Sequence, residues 1–161
     1  MKAEYVNPFY QATINVFKLM LDLEVMRDTS RALQQMLGKQ EVGVIIEVEG
    51  DLSGHILYRF PDTMILEMVK IMSGLEFDKI DSFVTSALAE VSNIISGNAV
   101  SSLFKQNYRC TIKPPRIVME DKKPLCLDCP PGEPVLRLPL QTPIGKLEID
   151  MALKENNRPV Q

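Results

Sequence analysis

The sequence predicts an α+β fold with two pseudo-symmetric helix/hairpin halves, one β-sheet, and two long helices packed on one face of that sheet. The patterns along the chain run helix, hairpin, helix, long helix, strand, hairpin. At an offset of 75, residues 12–21 align with residues 87–96 with two identities in ten, and each segment precedes a hairpin. Gly54 and Gly145 fall at matching points of the two hairpins, which indicates an internal duplication.

The bulk composition favours a single domain over residues 1–161, with a polar tail from about residue 154. Of the 161 residues, 45% are apolar and 24% are charged, which is typical of a globular domain. A net charge of −3 argues against nucleic acid and anionic membranes as partners. Three cysteines argue against a disulfide framework, and the N-terminus has no signal-peptide pattern. We therefore expect a cytoplasmic protein with no membrane-spanning segment.

The first half begins with a helix and continues into a hairpin. Asn7 is a suitable N-cap and Pro8 suits the first helical position, so we expect a helix from Pro8 to Leu21. Residues 24–39 give no clear pattern. The β-rich runs Val42–Val48 and Gly54–Phe60, joined by the turn-like EGDLS, predict the two strands of a hairpin.

Two helices follow in the middle of the chain. Asp62 is a suitable N-cap for a helix from Thr63 to Met72, and Gly74 is suited to end it. Asp78 to Asp81 then open a long helix, which we expect to run to about Lys105.

The last third of the chain returns to β-structure. Residues 107–120 predict a strand interrupted by two prolines, and the proline-rich, charged segment 121–134 predicts an exposed loop. Residues 135–153 predict a second hairpin that turns near residues 142–145.

Several polar residues of the long helix gather on one side of it, within the stretch SALAEVSNIISGNAVSSL. At 100° per residue, Ser86, Glu90, Asn93 and Gly97 fall within about 60° of one another, and we call this set the polar ridge. Its centre lies about 130° from an apolar stripe made of Val84, Ala87, Leu88, Val91, Ile94 and Ile95. Asn98 falls near that stripe and is expected to be structural. The polar ridge is either a solvated face or a site, and Gly97 leaves room for a partner or a neighbouring helix.

The spacing of three residues on the polar ridge resembles a family signature. Ser86, Glu90 and Asn93 match the pattern Ser or Asp, three residues, Glu, two residues, Asn. This pattern is similar to the signature of the CheC/CheX/FliY family of response-regulator phosphatases. That family also has a proline about twenty residues downstream, where Pro114 and Pro115 lie in this chain.

Within that family the chain is most similar to the CheX type. The opening stretch NPFYQATINVFKLML and the order of elements over roughly residues 5–154 also resemble CheX-type members. CheC-type members carry the Glu/Asn signature twice, whereas Asn15 and Lys18 replace the first copy in this chain. The resemblance therefore implies one site per chain.

The resemblance implies dephosphorylation of the aspartyl phosphate of a CheY-like response regulator. Asn93 would position the attacking water in line with phosphorus, and Glu90 would pair with the regulator's lysine. Ser86 and Gly97 would belong to the docking surface. The phosphorylated regulator would supply Mg²⁺, so no cofactor or metal is expected on this chain.

Two further expectations accompany the resemblance. CheX relatives form homodimers by pairing sheet edges, so a homodimer is expected here. The alternative to an enzyme is a non-catalytic module of the same fold, which binds a receiver or a motor component without hydrolysis. Intact Glu90 and Asn93 favour the enzyme.

Other chemistry-bearing residues give weaker signals. His55 is the single histidine, and one histidine makes no metal site without converging carboxylates or thiols. Cys126 and Cys129 have the two-residue spacing of a zinc or redox pair, but the sequence has no second pair, and Cys110 is distant. These residues are more simply explained as structural or solvated positions.

Overall fold

A computed structural model describes residues 1–29, 40–120, 127 and 132–157. Its elements are, in chain order, α1 (Ala3–Leu21), β1 (Met26–Arg27), β2 (Glu41–Gly50), β3 (Leu52–Pro61), α2 (Asp62–Ser73), α3 (Ser82–Lys105), β4 (Cys110–Ile112), β5 (Arg116–Glu120), β6 (Leu136–Thr142) and β7 (Gly145–Glu155). Cys126, Cys129 and most of the predicted loop at 121–134 lie outside the described residues, as do residues 30–39.

The described strands form one antiparallel sheet with an approximate two-fold arrangement. Its order is β1-β6-β7-β3-β2-β4, and β5 also pairs with β2. The second strands of the two hairpins, β3 and β7, pair in the centre, and each half contributes short strands to the hairpin of the other half. Gly54 and Gly145 share a positive φ, of 147° and 149°. The predicted fold with two pseudo-symmetric halves is therefore confirmed.

The helices and the sheet share one apolar core. Alternate residues of β2 (Val42, Val44, Ile46 and Val48) are buried at 0–1% exposure and belong to that core, as expected for a strand with one face toward helices. The two predicted long helices are α1, with 19 residues, and α3, with 24, and they pack against each other. The shorter α2 buries a third set of side chains in the same core. No helix among the described residues is long and apolar enough to cross a membrane.

The predicted start of the first helix is wrong by five residues. The helix α1 begins at Ala3, so Asn7 lies inside it and Pro8 is its sixth residue. Pro8 therefore lies beyond the first helical position, and it removes the hydrogen bond that its N–H would otherwise donate to the carbonyl of Glu4. The helix α2 begins at Asp62, and the preceding proline is its N-cap. Its predicted end is confirmed, because Gly74 is a left-handed C-cap.

The face of the sheet opposite the core carries the Arg59 cluster, made of Arg59, Glu41, Glu148 and Asp150. Side chains alternate along a strand, so Arg59 points away from the face on which its buried aromatic neighbours lie. Its guanidinium donates to both carboxylate oxygens of Glu41 at 3.1 and 3.3 Å, to Glu148 at 2.8 Å and to Asp150 at 3.4 Å. One buried cation thus binds three carboxylates.

Asp150 is the most deeply buried charged group of this cluster. It has 0% exposure, and its Oδ1 has no hydrogen-bond partner among the described residues. Burial is the main cause that raises the pKa of Asp150 to about 7. Glu148, two residues away on the same side of β7, raises that pKa further, while Arg59 lowers it. The carboxyl is therefore partly protonated near neutral pH.

Candidate active site on the long helix

The helix α3 has the bounds that the sequence predicts. Its N-cap is Asp81, whose carboxylate accepts a 2.9 Å hydrogen bond from the backbone N–H of Val84. The helix ends at Lys105. A regular helix over this range keeps the residues of the polar ridge on consecutive turns of one face.

The buried face of α3 differs from the predicted apolar stripe. Ala87 and Ile94 are only half-buried, whereas Ser92 and Ser96 are fully buried. The buried positions are Val84, Leu88, Val91, Ser92, Ile95, Ser96, Ala99 and Leu103. Their centre lies about 160° from the centre of the polar ridge, by helix geometry. The polar ridge therefore faces more directly away from the core than the sequence predicts.

A buried hydrogen bond accounts for this rotation of the helix. The hydroxyls of Ser96 and Tyr58 lie 2.7 Å apart, which joins α3 to the central strand β3. The Ser92 hydroxyl donates to the carbonyl of Leu88 at 3.0 Å, so it is satisfied within the helix. Because the buried face turns toward these serines, Asn98 lies at its flank and is exposed. The prediction that Asn98 is structural and near the core is therefore wrong.

The residues of the polar ridge are accessible from solvent. Ser86 and Glu90 are exposed, and Asn93 and Gly97 are half-buried. Residues three and four apart on a helix have Cβ atoms about 5–6 Å apart, so the Glu90 and Asn93 side chains are neighbours. Neither side chain has an ion pair or hydrogen bond with another described residue. A carboxylate and a carboxamide thus lie side by side, and no other described residue binds either side chain.

Gly97 leaves open space on the polar ridge. A Cβ built at this position has no heavy atom within 4 Å, so no neighbouring helix packs closely against it. The interpretation that Gly97 makes room for a neighbouring helix is therefore wrong. A surface without side-chain bulk remains beside Asn93, open to a partner.

The first helix has no equivalent of the Glu90–Asn93 pair. Its aligned residues, Asn15 and Lys18, are both exposed. The Lys18 ammonium lies 3.2 Å from a carboxylate oxygen of Asp22 and 3.2 Å from one of Glu24. In α1, the ion-paired Lys18 therefore stands at the position that corresponds to Asn93. Of the two aligned helices, only α3 carries the Glu–Asn pair.

Two exposed phenylalanines extend the face of the polar ridge, and the sequence interpretation overlooks them. Phe104 lies seven residues after Gly97 and within the angular sector of the ridge, and Phe83 lies seven residues before Glu90 and about 20° beyond its edge. They are 53% and 62% exposed. The signal was present in the sequence as apolar residues at helical spacing on a polar face. Phe83 also stacks on Phe77, with ring centroids 5.1 Å apart and planes inclined by 12°.

The other chemistry-bearing residues lie elsewhere. His55 lines a cavity of about 430 Å³ on the sheet, opposite Glu47 in the strand register. Lys113 pairs with that glutamate at 3.2 Å. Pro114 and Pro115 lie between β4 and β5 and interrupt the strand as predicted. Among the described residues, no group of three or more histidine, cysteine, aspartate or glutamate side chains is arranged to hold a metal ion.

Comparisons with known proteins identify relatives of the same fold and sequence pattern. The family model described as chemotaxis phosphatase CheX matches residues 42–140. The CheY-P phosphatase CheX of Thermotoga maritima is 23% identical over 119 residues, which cover 73% of this chain and 77% of that protein. The family match includes β2 to α3, and therefore the whole polar ridge.

Solved structures agree with this assignment. The chemotaxis protein CheX from Vibrio vulnificus has a TM-score of 0.81 at 23% identity, with 94% of this chain and 100% of that chain covered. A chain of the CheX–CheY–BeF3–Mg²⁺ complex from Borrelia burgdorferi has a TM-score of 0.73 at 27% identity, with 94% and 98% covered. Because the family model covers more than half of the sequence and the fold agrees throughout, this chain belongs to the CheX family of chemotaxis phosphatases.

Proposed function

We propose that this chain is a phosphatase that hydrolyses the aspartyl phosphate of a CheY-like response regulator. The observation that carries the proposal is the polar ridge, where Glu90 and Asn93 lie side by side, open to solvent and without a partner among the described residues. The names of the Thermotoga relative, a CheY-P phosphatase, and of the Borrelia complex of CheX with CheY support the same substrate.

The reaction asks little covalent chemistry of the enzyme. A water oxygen bonds to phosphorus while the bond from phosphorus to the receiver's aspartate oxygen breaks, and the products are inorganic phosphate and a free carboxylate. The proton that water loses leaves with the phosphate or to solvent. An acyl phosphate is already reactive, so the main contribution of the enzyme is to hold the water in line.

Asn93 suits the positioning of that water. The oxygen of its carboxamide accepts a hydrogen bond from water, and the group stays neutral at every physiological pH. Its half-buried position restricts its motion more than a fully exposed position would. We therefore assign the water-positioning role to Asn93.

Glu90 suits the binding of the partner. It is an exposed carboxylate one turn before Asn93, and a charge at that place can pair with a lysine of the receiver. Ser86, one turn earlier, and Gly97, one turn later, extend the same surface. Their proposed role is to contact the docked receiver.

The chain is proposed to bind no cofactor of its own. The polar ridge offers a single carboxylate, whereas Mg²⁺ sites take six oxygen ligands from carboxylates, phosphate and water. The receiver would therefore hold the metal together with the phosphoryl group. We also retain the expectations of a homodimer formed through sheet edges, testable by light scattering, and of a cytoplasmic location.

Phosphate release from a phosphorylated CheY-like receiver in Mg²⁺ tests the proposal. We expect the chain to accelerate release over the receiver alone. Asn93→Ala should lower kcat by about 100-fold, the typical cost of a misplaced reactant. Asn98→Ala is the matched control, because it is an exposed asparagine on the same helix about 140° away.

Each outcome of this assay has a definite meaning. If the wild-type chain binds the receiver without accelerating release, the protein is the non-catalytic module. If Asn93→Ala retains full activity, or if Asn98→Ala loses as much, the assignment of Asn93 is wrong.

A further inference from the structure

We propose that Leu75, Phe77 and Phe83 form an apolar anchor that binds the receiver beside the catalytic pair. This inference rests on the proposed function, because it names the surface that the same partner would cover. We call these three residues the apolar anchor. They lie in the connection between α2 and α3 and in the first turn of α3.

The exposure of these side chains is the first observation. Leu75 is 59% exposed and Phe83 is 53% exposed, although phenylalanine is among the residues that are most often buried. Phe77 is half-buried against the core and holds the ring of Phe83 in a stacked pair. The exposed ring is therefore held in place by a packed neighbour, which lowers the entropy lost when a partner covers it.

Continuity with the polar ridge is the second observation. Phe83 precedes Glu90 by seven residues, which places the two side chains within about 20° of each other and about 10 Å apart along the axis. Ser86 lies between them on the same face. A partner whose lysine binds Glu90 thus lies directly beside Phe83.

A receiver domain is large enough to cover both Asn93 and Phe83. A 100-residue domain has a radius of gyration of about 13 Å, and Phe83 is about 15 Å from Asn93 along the helix. A receiver with its phosphoaspartate over Asn93 therefore extends over Phe83. The charged residues next to the apolar anchor along the chain are Glu76, Asp78, Lys79 and Asp81, and Lys70 pairs with Glu76 at 3.0 Å.

This arrangement has the form of an interface hot spot. Its stacked aromatic pair is flanked along the chain by charged residues, the composition expected of an apolar centre with a polar rim. The mostly acidic rim favours a receiver surface that is apolar at its centre and carries basic residues around it.

Phe104 provides a matched comparison at the other end of the helix. It has the same side chain, lies on the same face and is 62% exposed. It is about 16 Å from Asn93 along the axis. However, it has no stacked aromatic neighbour among the described residues, and it lines a cavity with one residue of each charge, Arg109 and Glu49.

The test measures phosphate release against receiver concentration for the wild-type chain, Phe83→Ala and Phe104→Ala. We expect Phe83→Ala to raise KM at least tenfold with kcat within twofold of wild type, and Phe104→Ala to leave both constants unchanged. Phe83→Leu, which keeps apolar area, should recover part of the loss. Unfolding midpoints of all variants show whether a change in KM reflects altered folding.

Failure of this inference can be told apart from failure of the proposed function. Acceleration by the wild-type chain tests the function, and the change caused by Phe83→Ala tests the apolar anchor. If the wild-type chain is active but Phe83→Ala has an unchanged KM, or Phe104→Ala shows the larger effect, the apolar anchor is overturned. If the wild-type chain is inactive, the Kd for the receiver is measured instead, for the wild-type chain and for Phe83→Ala. The apolar anchor is overturned if Phe83→Ala leaves that Kd unchanged or if the wild-type chain does not bind the receiver.

Discussion

The polar ridge and the Arg59 cluster are polar regions with opposite relations to solvent. On the polar ridge, Glu90 and Asn93 face outward and bind no other described residue. In the Arg59 cluster, the guanidinium of Arg59 binds three carboxylates and is 8% exposed. A buried charge must be paired because its desolvation is costly, whereas an exposed one need not be. Buried polar groups thus report on the fold, whereas the role of the exposed pair depends on the partner proposed for it.

The largest expected effect on stability follows from replacing Arg59, the buried cation of the Arg59 cluster. Arg59→Met should lower the free energy of unfolding by about 3–5 kcal/mol, because three carboxylates lose their common counter-charge. Urea denaturation at pH 7.5 measures this. The turnover number of the remaining folded protein should be unchanged, since the cluster is on the face of the sheet away from the helices.

Lys113→Met is the control for that experiment. Lys113 also pairs with two glutamates, Glu47 at 3.2 Å and Glu49 at 2.9 Å, but all three side chains are solvent-accessible. Its replacement should leave the unfolding midpoint nearly unchanged. Equal losses from Arg59→Met and Lys113→Met would contradict the distinction between buried and exposed charges.

The next effect is a pH dependence that belongs to Asp150. Because its pKa is raised to about 7 in the folded chain, against about 3.9 when unfolded, the folded state binds the proton more tightly. The contribution of this group to stability is therefore fully present below pH 4 and is lost as the pH rises to about 7. The loss is on the order of 4 kcal/mol.

Asp150→Asn should remove this dependence. Subtracting its unfolding free energy from that of wild type, between pH 4 and pH 8, isolates the contribution of the carboxyl group. The difference should fall as the pH rises and level off above pH 7. A flat difference for Asp150→Asn would show that the pKa of its carboxyl is not perturbed.

A smaller effect is expected when the exposed charge of the polar ridge is changed. Glu90→Gln should lower kcat/KM by about tenfold, or ~1.4 kcal/mol of transition-state stabilisation, with no change in the unfolding midpoint. Raising the salt concentration should slow the wild-type reaction more than that of Glu90→Gln, because a charge pair is screened. Equal salt dependence in both proteins would contradict a charged contact at Glu90.

The regular elements were predictable because local signals determine them. The alternation of β2, the segment 78–81 at the start of α3 and the C-cap Gly74 place their elements to within a few residues. The start of α1 was not predicted correctly. Asn7 and Pro8 form a strong local start signal, but the helix already begins at Ala3, one turn earlier.

The rotation of α3 and the Arg59 cluster depend on contacts between distant residues. Serines 92 and 96 look like surface positions in the sequence, yet the bond from Ser96 to Tyr58 buries that side of the helix. Arg59 and Glu148 are 89 residues apart along the chain and meet only through the register of β3 with β7. The site residues of the polar ridge escape this difficulty, because their arrangement depends on one helix alone.

The smallest expected effect is at Gly97, where stability and function should move in opposite directions. A Cβ there meets no atom of the described chain, and alanine favours a helix interior by up to about 1 kcal/mol over glycine. Gly97→Ala should therefore raise the unfolding midpoint slightly, while kcat/KM falls a few-fold because the methyl group occupies space that the receiver uses. Gly132→Ala is the control, since its φ of +92° strains alanine despite open space, and it should neither raise the unfolding midpoint nor change kcat/KM. A Gly97→Ala protein that is more stable and fully active would show that the open space beside Asn93 is not part of the docking surface.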